Sequence, residues 1–329
     1  MWRTPLGLVL IVSFSAVALV LPRSRSLTDV APAPTGKLIN IGGFRLHLNC
    51  KGSGSPTIVM ESGAGDFSFD WSLVQPEVAR FTRVCTYDRA GYAWSDAGPM
   101  PRTMQQVAVE LHTLLHKSGE KSPYIFVGHS LGGLIVRVYA NRYPKEVAGM
   151  VLVASSHEDN QIMLNNKLML LRDLSRGRAI PPVQLKLERS KNALPTEQQQ
   201  SATTSPSLDE PYNKLAEDVQ RIRLWATGQP SYAEARKSEF DYLPEETVLI
   251  HSDRSKSKYE LGNMPLIVVT PAKNASDDYK KLQADLVGLS RSGRQIIAQQ
   301  SGHHIQLDEP EVVTDAIKQI VNAVRHKKN

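Results

Sequence analysis

The segment Gly128-His129-Ser130-Leu131-Gly132-Gly133 constrains this chain more than any other feature. A run rich in β-formers, Tyr124–Val127, leads into it, and the helix-patterned Leu131–Arg142 follows. A serine in a sharp strand-to-helix turn needs small residues two positions to either side, because the backbone there passes too close for a Cβ. Gly128 and Gly132 meet that need. Such a turn lifts the Ser130 hydroxyl to the end of a sheet. It also sets it at a helix N-terminus, where free N–H groups suit a developing oxyanion.

The flanking pattern agrees. Thr57–Met60, Arg83–Tyr87, Tyr124–Val127 and Gly149–Val153 read as strands, and Thr103–Lys117 carries apolar residues at a helical period. Repeated β-α-β order implies a parallel sheet with helices on both faces. Between residues 159 and 263 the pattern changes. Met163, Leu164, Leu168, Met169 and Leu171 read as an amphipathic helix, residues 195–211 as a polar loop, and Val219–Trp225 and Tyr232–Lys237 as further helices. This is an inserted helical region, with no strand expected in it. Strand chemistry resumes at Pro265–Thr270, then a helix near Tyr279–Leu289, the strand Arg294–Ala298 and a last helix, Glu311–Val324.

Composition excludes other classes. Hydrophobic residues make up 41% and charged residues 22%, ordinary globular usage. The net charge of +6 invites a nucleic-acid partner. Its location answers that: Arg3, Arg23 and Arg25 precede residue 27, and Arg325, Lys327 and Lys328 close the chain. Residues 27–324 hold equal numbers of acids and bases, so no nucleic-acid partner is expected, and no protein partner is evident. Thr4–Pro22 is uncharged and strongly apolar behind a short positive start, which reads as an export signal or a membrane anchor over residues 1–26. Residues 27–36 form a linker. The chain is expected to be exported, in the periplasm or outside the cell, or tethered to a membrane through residues 4–22. An even cysteine count there, Cys50 and Cys85, favours a disulfide over two separate thiols. Neither cysteine has the spacing of a zinc ligand, and no metal is expected.

A nucleophilic serine needs a base. His303, in Ser301-Gly302-His303-His304 between the last strand and the last helix, stands where chain order places it. His304 competes for that role. His129 flanks the nucleophile and reads as structural, as does His157.

With these motifs, and with Tyr87-Asp88-Arg89-Ala90-Gly91-Tyr92-Ala93-Trp94-Ser95-Asp96, the sequence resembles the α/β-hydrolase superfamily from about residue 37 to 324. The likeness is greatest to capped serine esterases and lipase-like members. It implies an α/β-hydrolase fold: a mostly parallel eight-stranded sheet in the order 1-2-4-3-5-6-7-8, helices on both faces, and a helical cap between strands six and seven. Residues 37–158 and 264–329 would form the core and 159–263 the cap. In that order Cys50 and Cys85 lie on neighbouring strands, so a bond between them is plausible. The resemblance further implies hydrolysis of an ester or similar acyl bond of a small molecule, without metal or organic cofactor. The backbone amides of Ala64 and Leu131 would form the oxyanion hole, with Ser62-Gly63-Ala64 standing where relatives carry His-Gly-x. The acid departs from the family pattern: Asn274 occupies its usual place. Asp277 and Asp278 follow as the favoured candidates, with Glu158 or Asp159 next. A non-enzymatic ligand-binding protein on the same fold is the alternative. A C–C bond hydrolase or a cofactor-free peroxidase-like enzyme would use the same residues.

Overall fold

The computed structural model describes residues 31–186 and 208–327. The expected signal or anchor over residues 1–26, most of the polar loop 195–211, and Lys328 lie outside them. Among the described residues no helix is long and apolar enough to cross a membrane.

The core alternates as its hydrophobic pattern requires. In chain order it comprises β1 (Lys37–Asn40), β2 (Arg45–Lys51), β3 (Ile58–Glu61), α1 (Gln75–Val78), β4 (Val84–Tyr87), α2 (Met104–Ser118), β5 (Tyr124–His129), α3 (Leu131–Arg142) and β6 (Val147–Val153). The insert follows, with β7 (Gln161–Leu164), β8 (Lys167–Leu170), α4 (Glu217–Thr227) and α5 (Pro230–Ser255). The core resumes with β9 (Leu266–Pro271), α6 (Asp277–Val287), β10 (Gly293–Ala298), α7 (Ile305–Asp308) and α8 (Pro310–His326).

Eight strands make one sheet in the order β1-β2-β4-β3-β5-β6-β9-β10, which matches the expected order. The pairs β1–β2 and β2–β4 are antiparallel, and the rest are parallel. All residues of β3, β4, β5 and β9 are buried, as strands covered on both faces must be. On one face α2 and α3 supply Val107, Leu111, Leu114, Leu134 and Val138. On the other, α8 presents Val313, Ile317, Ile320, Val321 and Val324, one apolar stripe at helical spacing, beside Trp71 and Val78. Cys50 of β2 lies opposite Cys85 of β4 and is bonded to it, with the Cα atoms 4.0 Å apart.

The insert corrects one expectation. Met163, Leu164, Leu168 and Met169 are not helical but form the antiparallel hairpin β7–β8. Asn165 and Asn166 make its two-residue turn with φ of 49° and 59°. Asparagine tolerates that left-handed region, so the pair acts as a hairpin turn. Met163 faces Leu168 across the hairpin, and both are more than half exposed. The expected helices are present and longer, as α4 and α5. The insert is joined to the core by an aromatic cluster of Phe67, Phe69, Tyr92 and Trp94 with Trp225 and Ala235. Glu246 of α5 also accepts from the Met104 and Gln105 amides at the start of α2.

Candidate active site

Ser130 caps α3 with φ 51° and ψ −121°, in the left-handed half of backbone space that a serine avoids. Such strain costs on the order of 1–3 kcal/mol and persists only where surrounding bonds over-determine it. Here the Ser130 amide donates to the Val153 carbonyl at 3.1 Å, and its own carbonyl accepts from Gly133 and Ser156. The glycines explain the rest. A Cβ on Gly128 would fall 2.7 Å from the Gly132 carbonyl oxygen, and one on Gly132 would fall 2.5 Å from that of Glu61.

His303 Nε2 lies 2.9 Å from Ser130 Oγ. The structure thus joins the proposed nucleophile and base from opposite ends of the fold. His303 is exposed, yet the protein packed behind it disfavours its charged form, and the adjoining His129 and His304 add to this. Its pKa is therefore lowered, which leaves a neutral imidazole ready to accept a proton.

The acid candidates stand elsewhere. Asp277 and Asp278 lie in the first turn of α6, with side chains 90% and 66% exposed and ion pairs to Lys280 and Lys281. Negative charge there complements the helix dipole. Asn274 is exposed, with φ 59°. Glu158 is fully buried but held by Arg137 and Arg254, and Asp159 pairs with Arg172 and His251. Among the described residues no carboxylate makes an ion pair with His303; the nearby anion that bears on it is Asp66.

Ala64 follows β3 in the turn Ser62-Gly63-Ala64-Gly65, and Leu131 is the first residue of α3. Among the described residues neither amide donates to a backbone carbonyl. Arg89 fixes that turn. Its guanidinium donates to the Ser62 and Gly63 carbonyls, each at 2.8 Å, and pairs with Glu61 at 2.8 Å. It reaches across to Glu239 of α5 at 2.9 Å. Burial pushes the Glu61 carboxyl up to about 7 against the pull of Arg89 and Tyr87.

Beside the turn sits a second polar cluster that local sequence patterns did not reveal. Asp66 Oδ2 lies 3.2 Å from His129 Nδ1. Asp66 Oδ1 accepts from the Tyr212 hydroxyl at 2.7 Å and pairs with Arg223 at 3.3 Å. Arg223 also pairs with Asp70, and Tyr212 meets His304 Nε2 at 2.8 Å. Burial disfavours the Asp66 anion, but His129, His304 and Arg223 outweigh it and hold the carboxyl well below the usual range. The same surroundings lower His304 to about 4, burial first and His129 next. Asp66, His129 and His304 each bring a ligand atom within 4.8 Å of the others. Arg223 and Tyr212 already occupy that carboxylate, so the group is spent on protein contacts rather than open to a metal. The one available sequence signal was the pair of acids in Gly65-Asp66-Phe67-Ser68-Phe69-Asp70-Trp71. Nothing local ties either acid to His129 or Arg223.

A sheet of this order, a serine on a strained elbow after β5, and a histidine after the last strand define a known class. The family model described as the alpha/beta hydrolase fold matches residues 56–310, and the chain belongs to that family. It is 27% identical over 284 residues to an "AB hydrolase superfamily protein" of Gibberella zeae, covering 82% of this chain and 87% of the relative. Among solved structures, a thermophilic esterase from Thermogutta terrifontis superposes with a TM-score of 0.59 at 17% identity, covering 85% of this chain and 94% of that one. A meta-cleavage product hydrolase from Pseudomonas fluorescens IP01 gives 0.60 at 16% identity, covering 88% and 98%. At such identities these structures speak for the fold.

Proposed function

We propose that this α/β-hydrolase is a serine hydrolase that cleaves a carboxylic ester, or a similar acyl bond, of a small molecule. The observation that carries this reading is the 2.9 Å approach of His303 Nε2 to Ser130 Oγ on the strained elbow. Ser130 attacks the carbonyl carbon while His303 takes the hydroxyl proton. The negative charge that develops on the carbonyl oxygen faces the Ala64 and Leu131 amides, each worth about 3 kcal/mol in the transition state. His303 returns the proton to the leaving alcohol, and the acyl-serine is then hydrolysed by water that His303 deprotonates. Asp277 and Asp278 have no part in it; their carboxylates belong to the exposed end of α6. We propose further that the chain is exported and that residues 4–22 direct or tether it.

Fluorophosphonate labelling of the full-length protein, with a panel of acyl esters of varied chain length, tests the reading. Labelling at Ser130, and loss of esterase activity by several orders of magnitude in Ser130→Ala, is the expected result. An unlabelled protein that still binds small ligands would overturn it in favour of a non-enzymatic binder, a reading supported by the lack, among the described residues, of a carboxylate paired with His303. Activity on a vinylogous diketone but on no ester would move the assignment to C–C bond hydrolysis.

A further inference from the structure

His129 is buried and precedes the nucleophile in the chain. Its Nε2 lies 3.0 Å from the His303 carbonyl oxygen, and its Nδ1 lies 3.2 Å from Asp66 Oδ2. A carbonyl and a carboxylate can only accept. The carbonyl contact therefore places a proton on His129 Nε2, and Nδ1 faces the Asp66 carboxylate. Gln306 also reaches the ring, its amide nitrogen 3.3 Å from His129 Nδ1.

The oxyanion turn rests on the same pair. A Cβ on Gly63 would fall 2.7 Å from both Asp66 Oδ2 and His129 Nδ1, so the backbone there passes directly over them. Three parts of the site therefore meet at His129. The nucleophile follows it in the chain, the base is held through its own carbonyl, and the turn bearing Ala64 packs on its contact with Asp66. From the insert, Tyr212 and Arg223 close the far side of Asp66.

We infer that His129 and Asp66 form a positioning pair for catalysis, a buried histidine–carboxylate contact that keeps the His303 main chain and the Gly63–Ala64 turn in register with Ser130. This rests on the serine-hydrolase reading above. It assigns the buried anion of the site to the oxyanion turn, in a molecule where no described carboxylate holds the ring of the base.

The test compares Asp66→Asn, His129→Ala and His129→Gln with the full-length wild type. The readouts are the rate of fluorophosphonate labelling, kcat and KM on the best ester, and circular dichroism. Asp66→Asn is expected to fold and to lose about a hundredfold in labelling rate and kcat with KM little changed, the scale of a small misplacement of reacting groups. His129→Gln, whose amide can still donate to the His303 carbonyl, should recover part of what His129→Ala loses. Nitrogen-15 spectra should show a histidine ring that is absent from both His129 variants and whose ring-nitrogen shifts move in Asp66→Asn. Wild-type labelling and kcat in a folded Asp66→Asn, or a His129 ring signal that this variant leaves unmoved, overturns the inference. If Asp66→Asn does not fold, His129→Gln against His129→Ala decides the same point. A wild type that fluorophosphonate never labels defeats the hydrolase reading instead, and the nitrogen spectrum still reports on the pair.

Discussion

Breaking the bond between Cys50 and Cys85 offers a prediction whose size follows from the chain. The two residues are 35 apart in sequence. In the chain-entropy treatment, closing a loop of that length removes about 13 cal/mol/K from the unfolded ensemble, about 4 kcal/mol at 25 °C. A folded body of roughly 290 residues unfolds with about 0.6 kcal/mol/K of entropy, so the bond should raise Tm by about 6 °C. The sheet should survive without it, because β2 and β4 keep their ladder and Cys85 stays in the core. The assay is thermal unfolding, followed by circular dichroism, of protein purified with and without a phosphine reductant. Thiol titration in denaturant confirms each state. Two free thiols in protein prepared without reductant, or identical melting of the two states, would refute the reasoning.

Two further outcomes follow from buried charge. Arg137→Met removes a partner of the fully buried Glu158 and should cost about 3–5 kcal/mol in urea unfolding at neutral pH. Burial raises the Glu158 carboxyl, but Arg137 and Arg254 outweigh it and hold it well below 4.5; the stability it contributes is present above pH 4.5 and lost as pH falls below that. Arg137→Met should therefore flatten the acid side of the stability profile, and an unchanged acid slope would contradict this. The lowered pKa of His303 keeps the base neutral into mildly acidic solution, so the acid limb of kcat/KM should lie below the ordinary histidine value of 6.5. A limb at or above 6.5 would count against His303 as the base.

Much of the core was legible because its signals are local. Gly128 and Gly132 announce a serine elbow, and the structure shows the clearance each provides, though the Glu61 carbonyl that Gly132 must avoid comes from a neighbouring strand. The apolar stripe of α8 and the buried runs of β5 and β9 follow from period alone. The hairpin β7–β8 was misread because Met163, Leu164, Leu168 and Met169 fit a helical stripe nearly as well as a cross-strand pairing. The Asn165-Asn166 turn decides between them. Aspartates 277 and 278 looked like a triad acid because they follow the seventh strand of the core, but Ser276 caps a helix there by accepting from the Tyr279 amide. Asp66, Arg89 and Arg223 were out of reach for a different reason. Each acts through a partner on another element, and no spacing along the chain records that pairing.

The Arg89 guanidinium has a consequence for engineering. It holds two carbonyls of the turn that carries Ala64, and its other edge is held by Glu239 in the insert. The insert is therefore not an exchangeable lid. A graft that replaces residues 159–263 to change the pocket, but leaves nothing acidic where Glu239 stands, takes from the buried Arg89 one of its two carboxylates and leaves Glu61 alone to hold it against the Ser62–Gly65 turn. Such a chimera would report a catalytic defect that has nothing to do with how its new pocket fits the substrate. Transplants on this scaffold should carry Glu239 across, or replace Arg89 in the same step.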